Sequence, residues 1–137
     1  SGFFEWRWMD EKGKMKIPYY ITLQDRPLFS IAGLFSNWKD KQTDVEYRTY
    51  TVLTTKANTY MEKIHNSRKR MPVILPREFE KDWLNPNLTR EDVLALCQHG
   101  DHHSMKAHTI SKLITSKKEE TDVPAVLEPE SYSEVKD

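Results

Sequence analysis

Ile64-His65-Asn66-Ser67-Arg68-Lys69-Arg70-Met71-Pro72-Val73-Ile74-Leu75 runs a basic, histidine-bearing loop straight into an apolar strand. Val73, Ile74 and Leu75 call for burial, whereas His65 and Arg70 call for polar or charged company. The stretch therefore fixes polar groups at the boundary of a core, and loop residues held by a rigid scaffold are where function usually sits. Just upstream, Ala57, Tyr60, Met61 and Ile64 fall at helical spacing, so a short helix over 56–65 is expected, with Thr54 or Thr55 able to cap its start. Downstream, 71–75 reads as a strand and Pro76 opens a helix over 77–84. Thr89-Arg90-Glu91-Asp92 reads as the capping box of a helix through Cys97 that stops at Gly100.

Working back toward the start, Phe3-Phe4-Glu5-Trp6-Arg7-Trp8 alternates apolar and polar from Phe4 and ends in the polar turn 10–14, which predicts a strand. A second strand is expected over 18–23. The nearly continuous apolar run 28–35 reads as a buried strand in which Gly33 permits a bulge or a close backbone approach. The β-branched and aromatic stretch 45–55 completes a mostly antiparallel sheet built from successive hairpins. Residues 106–114 alternate and are expected to return to the sheet as a last strand. Beyond Thr115 the chain is rich in Lys, Glu, Pro and Ser, so 116–137 is expected to be an extended polar tail. The fold class that follows is α+β, a mostly antiparallel, barrel-like sheet with short helices packed on it.

The 137 residues are one domain long and can bury a core. No run approaches the ~18 consecutive apolar residues of a membrane span, and no charged-then-apolar segment opens the chain. A single cysteine, Cys97, excludes an internal disulfide and fits a reducing compartment. Net charge is zero, yet fifteen Lys and Arg stand against eleven Asp and Glu up to Trp83, and six against ten beyond it. That asymmetry is a weak pointer to a polyanion-facing surface on the first part; on charge alone an ordinary mixed surface is the preferred reading.

Glu5 lies among Phe3, Phe4, Trp6 and Trp8. A carboxylate desolvated by aromatic neighbours has a raised pKa and can serve as a general acid or base near neutrality. Alternation alone instead places Glu5 on the polar face, opposite Phe4 and Trp6, and favours a solvent-facing side chain. For His65 two readings stand level. It is an acid/base histidine beside a phosphate-binding cluster of Arg68, Lys69 and Arg70, or a helix-capping histidine followed by a solvated charge run. His99-Gly100-Asp101-His102-His103 has the composition of a metal cluster but no zinc-site spacing, so no metal and no cofactor is expected. Cys97, on the Val93-Leu94-Cys97 face, reads as a core residue rather than a nucleophile. The aromatics Trp6, Trp8, Tyr19, Tyr20, Trp38, Tyr47 and Tyr50 could stack on unpaired bases, although such residues are more often core.

Three blocks taken together, Gly2-Phe3-Phe4-Glu5-Trp6, then 29–38, then Thr54-Thr55 through Leu75 with its His65 and Arg70-Met71-Pro72, resemble the SOS response-associated peptidase (SRAP) family. The resemblance implies a protein that recognises abasic sites in single-stranded DNA and shields them with a thiazolidine cross-link formed by an N-terminal cysteine. It assigns Glu5 and His65 the acid/base roles and Arg70 a contact with the DNA backbone, with Arg68 and Lys69 beside it. Two departures accompany it. The family spacing has one residue between the histidine and Arg-Met-Pro, whereas Asn66, Ser67, Arg68 and Lys69 intervene here. The nucleophilic cysteine is not among these residues, since Ser1 is not a cysteine and Cys97 lies elsewhere.

The chain is accordingly expected to be the C-terminal part of one SRAP-like domain over 1–115, with the missing N-terminal half of that domain as its partner. Alone it should be inactive in cross-linking. Single-stranded DNA containing abasic sites is the expected ligand; a monomer, no membrane and a cytoplasmic, nucleoid-associated setting complete the expectation. Two other functions stay open: a non-enzymatic single-stranded nucleic-acid binding module, and an autoproteolytic peptidase using the same Glu5 and His65.

Overall fold

Period-2 alternation dominates the first 56 residues and short helical periods follow, and the computed structural model, which describes residues 1–98 and 104–135, has that order. In chain order its elements are β1 (Phe3–Trp8), β2 (Lys16–Leu23), β3 (Ser30–Ile31), β4 (Gly33–Lys39), β5 (Glu46–Val52), β6 (Thr54–Lys56), α1 (Met61–Ile64), β7 (Arg70–Pro72), β8 (Ile74–Leu75), α2 (Glu80–Trp83), α3 (Arg90–Gln98) and β9 (Met105–Thr109). The architecture is α+β with antiparallel strands and short helices. Among the described residues the strands form one three-stranded and three two-stranded sheets, with no closed barrel. The chain divides into two units, one from 1–28, 57–70 and the residues from 104 onward, the other from 29–56 and 71–98.

In the first unit β2 is central, antiparallel to β1 on one side and β9 on the other. The turn from β1 to β2 is wound around the Asp10 carboxylate, which accepts the backbone N–H groups of Met15, Lys14 and Lys12 and is held below its ordinary pKa by them. Gly13 has φ +62°, and a Cβ there would meet the Trp8 ring at 2.6 Å, so this turn admits only glycine without rearrangement. The register places Phe4, Tyr20 and His108 in one row, with ring centroids 5.4 and 5.8 Å apart, and Glu5, Tyr19 and Thr109 in the next row on the opposite face. Ile17, Ile21, Leu23, Met61, Ile64 and Met105 form the buried core of this unit.

The helix expected over 56–65 is confined to the single turn of α1, because Thr54–Lys56 is strand. Asn58, not Thr54 or Thr55, supplies the cap: its side-chain oxygen accepts the Met61 N–H at 2.9 Å. The last strand also ends early, at Thr109; Ser111 then accepts the Leu113 N–H and starts a 3₁₀ turn over Lys112–Thr115. Residues beyond 115, expected as an extended tail, are anchored as far as they are described. Val126 in the 3₁₀ turn Pro124–Leu127 is 3% exposed. The Glu130 N–H donates to the Thr109 carbonyl at 2.9 Å, and the Tyr132 hydroxyl donates to the Ile110 carbonyl at 2.8 Å. Burial of a single apolar side chain, Val126, supplies an anchor that the polar average of the segment concealed.

In the second unit β3 pairs with β8, β4 with β5, and β6 with β7, whose last two residues belong to this unit. Ala32, Val73 and Leu75 are its buried centre, with Leu53, Trp83 and Cys97 packed against them. The expectation of one buried strand over 28–35 is corrected. The run breaks at Ala32, and only Ala32 is fully buried, whereas Leu28 is 74% and Phe35 82% exposed. The cause lies in pairing: β4 meets only β5, and no described residue of this unit covers that two-stranded ribbon. Gly33 does serve a close approach, since a Cβ there would lie 2.9 Å from the Thr51 carbonyl oxygen. The capping box is present at α3, with Asp92 N–H on the Thr89 hydroxyl oxygen at 3.2 Å and Thr89 N–H on the Asp92 carboxylate at 2.9 Å.

Ile21 is wholly buried at the middle of the central strand. Replacing it with alanine is expected to cost ~2–5 kcal/mol, read as a lowered urea midpoint with unchanged slope.

Candidate functional site

Among the described residues β1 is the edge of its sheet, paired with β2 alone. At Trp8 the Asn66 side chain bonds the strand's backbone: its Oδ1 accepts the Trp8 N–H at 3.0 Å and its Nδ2 donates to the Trp8 carbonyl at 2.8 Å. An amide is the side chain that can do both at once. This clasp fastens the start of the 66–69 loop to β1, and α1 packs on the same strand. Sequence reasoning passed over Asn66 as one of four extra residues; an amide directly after the histidine, beside an edge strand, was the available signal.

Those four residues fold into a closed turn. The Lys69 N–H donates to the His65 carbonyl at 2.9 Å, and Lys69 adopts φ +50° to return the chain. The Ala57 N–H donates to the Lys69 carbonyl at 2.9 Å. Arg70 is thereby brought back beside His65 in spite of the intervening residues, and the His65 Nδ1 lies 2.7 Å from the Arg70 carbonyl oxygen. A carbonyl oxygen only accepts, so Nδ1 carries the hydrogen and, in the neutral ring, Nε2 is left with the lone pair.

His65 Nδ1 is also 3.8 Å from Glu5 Oε1. Glu5 does lie on the face opposite Phe4 and Trp6, but that face is covered, and its side chain is only 22% exposed. The solvent-facing reading of Glu5 therefore fails. Burial raises its pKa above the ordinary 4.5, against the opposing pull of His65, the Trp6 backbone N–H and Arg70. A carboxyl and an imidazole thus meet within the first unit, with the Arg70 charge acting on the carboxyl. Arg68 and Arg70 are exposed, and Lys69 reaches Glu62 at 3.9 Å.

The remaining candidates divide by location. Cys97 packs against Ala32, Val73 and Leu75 in the second unit, and burial pushes its thiol pKa up. The 99–103 histidine cluster lies outside the described residues. Among the described residues no three His, Cys, Asp or Glu side chains converge as metal ligands, and no helix is long and apolar enough to cross a membrane. Of the aromatics, Tyr19 is core and Tyr20 is stacked in its row, whereas Trp38, Tyr47 and Tyr50 stand exposed on the β4–β5 ribbon.

An antiparallel α+β scaffold with a half-buried carboxyl–imidazole pair beside exposed arginines defines the class. Residues 1–117 match the family described as SOS response associated peptidase (SRAP), and the chain belongs to that family. It is 44% identical over 119 residues to the abasic site processing protein YoqW of Bacillus subtilis, covering 86% of this chain and 50% of that protein. The abasic site processing protein YoaM of the same organism is 41% identical over the same shares. A crystal structure of a protein from Bacteroides thetaiotaomicron superposes with a TM-score of 0.79 at 35% identity, over 95% of this chain and 54% of that one. A Bordetella bronchiseptica protein shares the fold at a TM-score of 0.66 and 24% identity, over 80% of this chain and 51% of that one. The chain spans about half the length of the curated relatives it matches.

Asn66→Ala removes both clasp bonds and is expected to cost roughly 1–2 kcal/mol in urea unfolding; Asn66→Asp, which cannot donate to the Trp8 carbonyl, should not restore it. Glu5 gives a pH signature. Between 4.5 and its raised folded value the folded state binds more protons than the unfolded one, so the stability associated with Glu5 falls as pH rises through that window. Glu5→Gln should therefore gain on the wild type in melting temperature at pH 8 relative to pH 4, and an equal difference at both values would contradict the assignment.

Proposed function

We propose that this chain supplies the acid/base part of a site that processes abasic sites in single-stranded DNA. The observation that carries the reading is the half-buried Glu5 carboxyl, pKa raised, 3.8 Å from His65 Nδ1 and within the field of Arg70. The names of the relatives at 41–44% identity support the same substrate class.

An abasic sugar in its open form presents an aldehyde. An α-amine adds to it, and the carbinolamine loses water to give an imine; a thiol on the same residue then adds to the imine carbon and closes a thiazolidine. The amine and thiol come from an N-terminal cysteine that these residues do not contain. Loss of water needs a proton delivered to the departing hydroxyl, and burial, by raising the pKa of the Glu5 carboxyl, favours the form that can deliver one. In this reading Glu5 is that acid. The Nε2 lone pair of His65 takes up a proton as the amine or thiol adds, and its Nδ1–H stays fixed on the Arg70 carbonyl. Arg70, with Arg68 and Lys69, holds the backbone of the strand.

Incubating the 137 residues with an abasic single-stranded oligonucleotide should give no adduct on a denaturing gel, while binding it more tightly than the intact strand. A stable covalent band would refute the assignment of the nucleophile. Equal binding of abasic and intact strands would favour a plain single-strand binding module.

A further inference from the structure

Arg7 stands two residues beyond Glu5 on β1, so both side chains leave the same face of the sheet. Lys63 stands two residues before His65, in α1, which packs on that strand. Both cations line one cavity of about 330 Å³, together with Tyr19, Tyr60, Ile64 and Thr109. No carboxylate is among the described residues around it. None of the ion pairs among the described residues engages Arg7 or Lys63, and Glu62, the sequence neighbour of Lys63, reaches Lys69 instead. At ~30 Å³ per water, the cavity has space for roughly ten waters, which is ample for a phosphate group with part of its hydration shell. Two cations around one hollow, with no carboxylate among the described residues that line it, create a positive potential that an anion relieves.

We propose that this cavity is a phosphodiester subsite, receiving one of the two phosphates that flank the sugar held at Glu5 and His65. The assignment rests on the reading of that pair as DNA-facing. Every sugar inside a strand carries a phosphate on both its 3′ and its 5′ oxygen. Two groups of cations neighbour the pair along the chain: Arg68, Lys69 and Arg70 just after His65, and Arg7 with Lys63 just beyond Glu5 and just before His65. Arg7 offers a planar fork to two phosphate oxygens, and Lys63 adds a compact charge. Neither cation belongs to the acid/base pair, so removing them should weaken binding without changing the chemistry that Glu5 and His65 perform.

The test is the salt dependence of binding of a labelled abasic single-stranded oligonucleotide, for the wild type and for Arg7→Gln/Lys63→Gln. Both positions carry solvent-accessible side chains, and circular dichroism confirms that the variant is folded. Loss of one phosphate contact should lower affinity about tenfold and make the slope of log K against log salt shallower by ~0.7. An unchanged slope and affinity would overturn the proposal. Inorganic phosphate titrated against ¹⁵N-labelled protein separates the subsite from the wider reading. Shifts at Arg7, Lys63 and Thr109 in the wild type, absent from the variant, support an anion subsite even if abasic DNA fails to bind, in which case the proposed function falls and the subsite stands. Absence of such shifts overturns it. Micromolar saturation by phosphate alone, with the DNA slope unaltered, would assign the cavity to a free anion and overturn the DNA assignment.

Discussion

The Asn66 amide does at the outer edge of β1 what a further strand would otherwise do. With two hydrogen bonds to the Trp8 backbone it satisfies a donor and an acceptor on that edge and, in the same act, fixes where the 66–69 loop begins. The rest of the site follows from that attachment. The turn closes through Lys69 onto the His65 carbonyl, Ala57 holds the far end of the turn, and Arg70 returns with its carbonyl on the imidazole. His65 is thereby held in position and in tautomer by backbone contacts. A pair of residues 60 apart in the chain is set within 3.8 Å with the strand carrying Glu5 fastened to the loop after His65 and packed against the helix before it.

Much of the fold was legible in sequence because local patterns and local structure agreed. The aromatic alternation at 3–8 and the reciprocal Thr89–Asp92 cap each follow from residues that act on their immediate neighbours. Errors arose where the outcome depended on what lies alongside. The run 28–35 looked like a core strand because apolar content signals burial, but burial also requires a covering layer. β4 and β5 form a ribbon whose Leu34, Phe35, Trp38, Tyr50 and Val52 remain exposed. Likewise the tail was judged by its average polarity, whereas docking needs only a few apolar residues at suitable positions, as at Val126.

The site was legible in its members more than in its arrangement. Glu5, His65 and Arg70 could be named from residue type, position and resemblance; that Glu5 is covered rather than solvent-facing could not, because alternation assigns faces without saying what packs on each. The residues between His65 and Arg70 posed the opposite problem. Counted along the chain they separate the two groups, yet a turn using one positive-φ residue returns the chain almost to its starting point. Sequence distance carries little information about spatial distance once a loop closes on itself, and Lys69 bears no glycine-like mark to announce the left-handed conformation.

The electrostatics of Glu5 tie its protonation to whatever the neighbouring cations hold. Burial raises its pKa, and the charges of His65 and Arg70 restrain the rise. Solvent and salt can moderate those charges only partly, because the carboxyl is largely covered. An anion that pairs with Arg70 cancels part of the restraint and leaves burial less opposed. Even without a contact to Glu5, its negative charge further disfavours the carboxylate. An anion placed in this neighbourhood therefore shifts Glu5 toward the protonated form. Arg70 thus acts on the carboxyl through its charge alone, and whatever neutralises that charge changes the balance between burial and attraction at Glu5.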